Sequence, residues 1–211
     1  VRTDARRNRD ELLRAARALF IERGTDVALE AVAQRAGVSI ATLYRNFPDR
    51  TALVRAVVLD GIGSMREAAR RARDGIADDP AGAWHTFVET AAALRAGVLM
   101  PMLQPILPDL ATDPELSRAR TEVVEAVGDL VAAAQRHGQV RSDVAADEIM
   151  LLIMAIARPL PALPEEHVPE FIERALGVAV AGLRPDSGPA LPGRPVAMRV
   201  PGEEHPDRTG Q

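Results

Sequence analysis

Cysteine is absent from the 211 residues, which excludes a disulfide framework and any thiolate-held metal or redox pair. Lysine is absent as well: all 26 basic residues are arginine, the plainest cause being the codon bias of a GC-rich genome. Aromatic side chains are only 3% of the chain, so its 47% of hydrophobic residues is carried mainly by alanine, leucine and valine. That is enough to bury a core, and alanine and leucine bias it towards helices. No segment alternates polar and apolar residues with the period of a strand. Long hydrophobic runs are missing too. The longest spans residues 149–157, about half of the roughly 20 residues that a membrane helix needs. No apolar stretch follows the opening arginines, so no signal peptide is expected and the expected location is the cytoplasm.

Charge is present but unevenly placed. The net charge is −4, yet residues 1–60 hold 11 arginines against 8 acids, whereas residues 61–211 hold 15 against 22. A basic N-terminal unit on an acidic body calls for a polyanionic partner at one end of the molecule.

Apolar residues at helical spacing predict a first helix over 4–23 that Gly24 terminates, and a compact second helix over 29–36 that Gly37 stops. Ser39 is a natural N-cap for a third short helix over 39–46, with Leu43 or Ile40 and Phe47 on its buried side. Pro48 ends it, because the residue before proline avoids the helical region. Asp49 caps a long fourth helix over 49–73, with Leu53, Val57 and Met65 among its apolar positions. After a break at 74–80, further helices are predicted over 81–99, 114–137, 144–158 and 165–183. Three prolines interrupt the segment 100–110 between the first two of these. Residues 184–211 contain six prolines and read as a disordered tail.

Two short helices joined by Gly37-Val38, the second opened by a serine cap, make a helix-turn-helix, whose second helix enters the major groove with its first residues at the base edges. Ser39, Ala41 and Thr42 are small enough for close approach and bring hydroxyls and methyls suited to phosphates, bases and thymine. Tyr44 and Arg45 follow on the exposed side, where a phenol and a guanidinium hold phosphates. Arg50 opens a helix whose unpaired N–H groups favour an anion. Arg6 and Arg7, with Arg9, cluster at the start of the chain as an arm within reach of the DNA backbone.

Three stretches, ELLRAARALFIERG (11–24), LEAVAQRAGVS (29–39) and ATLYRNFPDRTALVRAV (41–57), resemble in order and spacing the DNA-binding domain of the TetR family of transcriptional regulators. The resemblance is greatest to the branch in which isoleucine follows a glycine-valine-serine or glycine-valine-glycine turn and the helix reads T-L-Y-R-x-F-P. A weaker likeness extends through GQVRSDVAADEIMLLIMAIARPL (138–160), so that about residues 6–183 are covered. It implies an all-α fold: a three-helix DNA-binding domain (1–48), a linking helix (49–73) and a helical ligand-binding and dimerisation body running to 183. It implies DNA contacts from Ser39, Ile40, Ala41, Thr42, Tyr44 and Arg45, a phosphate contact from Arg50, and core roles for Leu43 and Phe47. The sequence departs from many members at Ala28, where a serine or threonine caps the second helix and holds a phosphate; Thr25 or Asp26 is the substitute cap expected here.

A single helix-turn-helix touches too few base pairs for specific affinity, so a homodimer on a palindromic double-stranded DNA operator is expected. The resemblance puts the dimer interface on the helices over 144–158 and 165–183, where Phe171, Leu176 and Val180 are candidates. It also implies a repressor released by a small-molecule effector, apolar or amphipathic. Trp84, Phe87, Met100, Met102, Leu103, Met150 and Met154 supply large or adaptable apolar side chains to the helices that line such pockets. His85, Gln104 and Arg158 are the polar candidates to orient a ligand. The alternative is an architectural or protein-recruited DNA-binding factor without an effector. An enzyme is not expected, since His85, His137, His167 and His205 are scattered without partners at metal-ligand or triad spacing and no glycine-rich phosphate loop is present. No metal or cofactor is expected.

Overall fold

The computed structural model describes residues 2–24, 26–102, 112–158, 163–186 and 188–196. Among them every regular element is helical: α1 (Arg2–Arg23), α2 (Leu29–Arg35), α3 (Ile40–Asn46), α4 (Arg50–Gly75), α5 (Pro80–Ala93) and α6 (Ala96–Met102). Then come α7 (Pro114–Arg136), α8 (Ala146–Ile156), a 3-10 turn (Glu165–His167) and α9 (Val168–Gly182). No described helix is both long and apolar enough to cross a membrane.

Local chemistry sets most of these boundaries. Gly24 and Gly37 end α1 and α2 at φ 87° and 67°, a left-handed conformation that glycine adopts without steric cost. At Gly37 the bonds Val38 N–H to Ala33 O and Gly37 N–H to Gln34 O close a Schellman motif. Asp49, Asp79 and Asp113 each accept a hydrogen bond from a first-turn N–H of α4, α5 and α7, satisfying donors that have no partner within the helix. By contrast α2 starts at Ala28 with no side-chain cap. Asp26 therefore does not replace the missing hydroxyl, and Thr25 lies outside the described residues.

Two separate apolar cores form. The head core gathers Leu12, Ala16, Leu19 and Phe20 of α1, Val32 of α2, Leu43 and Phe47 around α3, and Leu53, Val54, Ala56 and Val57 of α4. The body core joins Met65, Ala68, Ala69 and Ala72 of α4, and Ile76 just beyond it, to Trp84 and Phe87 of α5, Val127, Leu130, Val131, Ala133 and Ala134 of α7, Ile149 and Ile153 of α8, and Leu176 of α9. The first turns of α4 thus pack with the head, although the motif reading divides the chain at residue 48. The long helix belongs to both units, and α4 and α7 lie side by side.

Three expectations change. The helix predicted over 81–99 is two helices, broken at Arg95, whose φ of 52° is the one positive value at a non-glycine among the described residues. A left-handed arginine costs roughly 1–2 kcal/mol, and packing next to the break supplies a reason. A Cβ at Gly97 would collide with the backbone carbonyl of Met154, so α6 seats directly on α8. The first helix begins at Arg2 rather than at residue 4, so the arm of Arg6, Arg7 and Arg9 is helical, as the span predicted over 4–23 already required. Finally, residues 188–196, read from composition as part of a disordered tail, form a strap on the body. Pro189 O accepts from Arg141, Leu191 N–H donates to Asp143, and Val196 N–H donates to Glu148. The rest of the tail, from 197 on, lies outside the described residues.

Candidate nucleic-acid interface and sensing body

On α3 the helical period separates two faces. Leu43 is fully buried and Phe47 nearly so, while Ser39, Ile40, Ala41, Tyr44 and Arg45 are exposed and Thr42 is half-buried. Ile40 therefore belongs to the outer surface, and Leu43 is the residue that anchors the helix. Of the two clustered aromatics one is a core residue; Tyr44, 47% exposed, faces outwards.

The exposed face is preorganised by its own hydrogen bonds. The Ser39 hydroxyl accepts from Thr42 N–H at 3.2 Å and lies 2.9 Å from the Thr42 hydroxyl. Arg45 donates to that same hydroxyl at 2.8 Å, and the Asn46 amide donates to Thr42 O. Thr42 thus sits between a helix cap and a cation. Arg9 is engaged by the head: its guanidinium lies 4.5 Å from the centre of the Phe47 ring, a cation–π arrangement that ties α1 to the end of α3. Sequence reasoning placed Arg9 with the arm, and nothing in its spacing announced the ring. Arg6 and Arg7 are exposed on α1, and Arg50 is half-buried at the start of α4.

In the body the pocket candidates separate. Trp84 and Phe87 are each 1% exposed with ring centroids 5.7 Å apart. The Trp84 Nε1–H is buried without a hydrogen-bond partner among the described residues, an arrangement that costs about 1–3 kcal/mol unless an acceptor arrives. Met150 packs partly against this core, and the backbone of Met154 lies against Gly97. His85 points away, paired with Glu89 at 3.1 Å on the surface. Arg158 is also exposed, its stem against α6. Neither supplies an inward polar group. Met100 and Met102 have their backbone in α6, but their side chains, and Leu103 and Gln104 altogether, lie outside the described residues.

The outer faces of α8 and α9 expose large apolar side chains, on α9 beside Glu170, Glu173 and Arg174. Leu151, Leu152, Phe171 and Val178 are exposed, Val178 to 75%, and a shallow groove of about 510 Å³ is lined by Phe171, Arg174, Ala175, Gly177, Val178 and Ala181. Ile149, Ile153 and Leu176 face the body core instead. Exposed large apolar groups on two adjacent helices mark an interaction surface.

Residues 12–57 match the family described as bacterial regulatory proteins, tetR family, and residues 79–185 match the C-terminal domain described as transcriptional regulator SbtR-like. An uncharacterized HTH-type transcriptional regulator of Mycobacterium tuberculosis is 30% identical over 148 residues, covering 68% of this chain and 76% of that protein. The crystal structure of a TetR transcription regulatory protein from Mycobacterium vanbaalenii is similar at 31% identity and a TM-score of 0.61, covering 87% of this chain and 98% of the other. LfrR of Mycobacterium smegmatis, solved in complex with proflavine, shares the fold at 22% identity and a TM-score of 0.59, over 88% and 98% of the two chains. These relatives are regulators of transcription, not enzymes. The two matches between them take in the head and the body, and the chain belongs to the TetR family of DNA-binding transcriptional regulators.

Proposed function

We propose that the protein is a ligand-responsive repressor that binds a palindromic operator as a homodimer and leaves it when a small apolar or amphipathic effector enters the body. The observation that carries the reading is the division of α3, where Leu43 and Phe47 fix the helix to the head. Its opposite face offers Ser39, Ile40, Ala41, Thr42, Tyr44 and Arg45 to the major groove. Tyr44, Arg45 and Arg50, with Arg6 and Arg7, hold phosphates and set register; Thr42 and its neighbours meet base edges. Residues 1–48 are the DNA-reading unit, and 49–183 the sensing and dimerising body. The dimer forms through α8 and α9, where Leu151, Leu152, Phe171 and Val178 are exposed.

The effector enters beside Trp84 and Phe87, where the buried indole N–H, without a partner among the described residues, donates to an acceptor atom of the ligand. That donor takes the place that the outward-facing His85 and Arg158 leave empty. Met100, Met102, Met150 and Met154, with Leu103 and Gln104, complete the wall. In LfrR the same fold is seen with proflavine. The effector of this chain is the class of molecule to be found by mass spectrometry of what co-purifies with it.

The test starts from a duplex selected out of a random pool by the wild-type protein. A two-fold symmetric sequence with half-sites about 34–36 Å apart, or a multiple of that, is expected. Tyr44→Phe combined with Arg45→Ala should weaken binding to every sequence and flatten its salt dependence, while Thr42→Ala should change base preference. Unaltered binding by the double variant overturns this docking. A body that no small molecule enters, on a protein that still binds its operator, would favour the architectural alternative.

A further inference from the structure

The linking helix is the part of the molecule where two cores meet, and it is weakest between them. The head core ends at Val57 and the body core begins at Met65. None of the residues from 58 to 64 is buried. Gly61 and Gly63 fall in this stretch, in one helical turn, and glycine is among the poorest residues for a helix interior. A Cβ on Gly63 would meet nothing within 4 Å. Between this waist and α7 lies a groove of about 290 Å³, lined by Leu59, Ile62, Gly63 and Arg66 on one side and Glu115, Arg118, Ala119 and Glu122 on the other. At its head end, Arg17 from α1 donates to the Val57 carbonyl at 3.3 Å and to Asp60 at 3.0 Å. The waist therefore has no buried residue and little helix propensity to keep it straight, and on the head side its braces are Val58 against the head core and Arg17, whose guanidinium lies over Gly61.

Ion pairs to a second helix take over where packing stops. On the head side of the waist Arg55 forks onto the N-terminus of α7, through Nε and Nη2 to Asp113 and through Nη2 to Glu115 at 2.6 Å. On the body side Arg66 pairs with Glu122, and Arg73 lies 3.6 Å from Asp129. Glu115, Glu122 and Asp129 recur every seven residues, one stripe of α7. Asp113 is itself fixed, accepting from the backbone N–H groups of Glu115 and Leu116. One rigid helix is thus fastened to α4 on both sides of the glycine waist. Arg55 is the fastening on the head's side, because its neighbours Val54 and Ala56 are buried in the head core.

We propose that Arg55 is a positioning residue for operator binding: tied to Asp113 and Glu115, it splints the glycine waist of α4 against α7 and holds the recognition helix at the angle that DNA requires. Without it the head pivots at Gly61–Gly63, and operator binding must first recover the correct angle out of many. A wider spread of head angles lowers affinity by the fraction of molecules that are competent. The inference rests on the operator reading above and adds to it a residue remote from the recognition surface.

The test uses the full-length protein, its selected duplex, and the variants Arg55→Gln, Gly63→Ala and the two combined. Arg55→Gln should lose about fivefold or more of operator affinity, within the range of ordinary coupling between sites. Backbone amides of residues 61–66 should exchange faster with deuterium. Gly63→Ala, whose methyl enters open space, stiffens the waist and should restore at least half of the lost affinity, in logarithmic terms, and slow the exchange again. A residue that merely stabilised the fold, or touched DNA itself, would not be rescued by an alanine two turns away. Glu115→Gln removes one arm of the fork while leaving the Asp113 cap in place, and should shift affinity the same way by a smaller factor; it serves if Arg55→Gln does not fold. Unchanged affinity in both Arg55→Gln and Glu115→Gln overturns the splint, as does a loss that Gly63→Ala leaves untouched. Wild-type protein that selects no duplex at all overturns the operator reading, and the splint with it, before any substitution is made.

Discussion

Replacing Leu43 by alanine should silence the protein at its head and leave its body standing. Leu43 is fully buried, and its removal from a packed site costs about 2–5 kcal/mol, the transfer term plus the cavity left behind. The head core holds together roughly 55 residues, for which a stability of ~3–8 kcal/mol is the ordinary range at ~0.05–0.15 kcal/mol per residue. One truncation thus removes much or all of what keeps the head folded. The body has its own core, which contains none of the head's buried residues. Among the described residues beyond α4, Leu99 is the one that packs partly against the head core. The chain's single tryptophan, Trp84, lies in the body core and reports on the body alone, whereas circular dichroism counts all helices. Heating Leu43→Ala should show loss of helix in an early phase, an unshifted Trp84 fluorescence transition, and no operator binding at temperatures where Trp84 is still native. If the Trp84 midpoint falls together with the circular dichroism, the two cores are one cooperative unit and the reasoning is wrong.

Four further outcomes follow from the geometry. Val178→Glu places a charge on a residue that is 75% exposed on α9, so it should give monomers in sedimentation while Trp84 unfolding stays where it was; a stable dimer would remove α9 from the interface. The same substitution at Ile153, only 4% exposed in the body core, should instead unfold the body. Gly97→Ala should lower the Trp84 transition by about 1–3 kcal/mol, the usual cost of overpacking, because its methyl collides with the Met154 carbonyl of α8; wild-type stability would mean that α6 is not seated there. Finally, Asp113 is held at about 2, from an ordinary 3.8, chiefly by the hydrogen bond from Arg55. Asp143 is likewise held at about 2, by Arg141 first and then the Leu191 N–H. Both are lowered in the folded state, so their stabilisation is fully present above about pH 4 and is lost as pH falls from there through about 2. Asp113→Asn and Asp143→Asn should each flatten the acid limb of stability measured between those values, and an unchanged limb would refute the pairing.

The sequence by itself determined the local events. Ser39 and Asp49 caps, the stops at Gly24 and Gly37, and the helical spacing of Leu12, Leu19, Leu43 and Leu53 each depend on a few neighbouring residues, so helix order was legible. The inward side of α3, by contrast, was narrowed to Leu43 or Ile40 with Phe47, and packing chose Leu43. The spacing of Tyr44 and Phe47 was legible in the same way, one side chain out and one in. What only the tertiary structure decided are matters in which distant segments compete for one place. The break at Arg95 is invisible to propensity, since Ala81–Leu99 reads as an unbroken helix; α6 takes its place because the bare backbone of Gly97 fits the Met154 carbonyl. His85 and Arg158 were candidates for the pocket by their position in sequence, yet their side chains find solvent, and the unpaired donor belongs to Trp84. The strap at 188–196 looked like tail because proline-rich composition cannot make a core, but carboxylates at Asp143 and Glu148, 48 residues away, accept its backbone N–H groups. Periodicity is written in adjacent residues and survives reading one helix at a time. Which surface a side chain meets depends on how helices pack, and that is set by contacts spread over the whole chain.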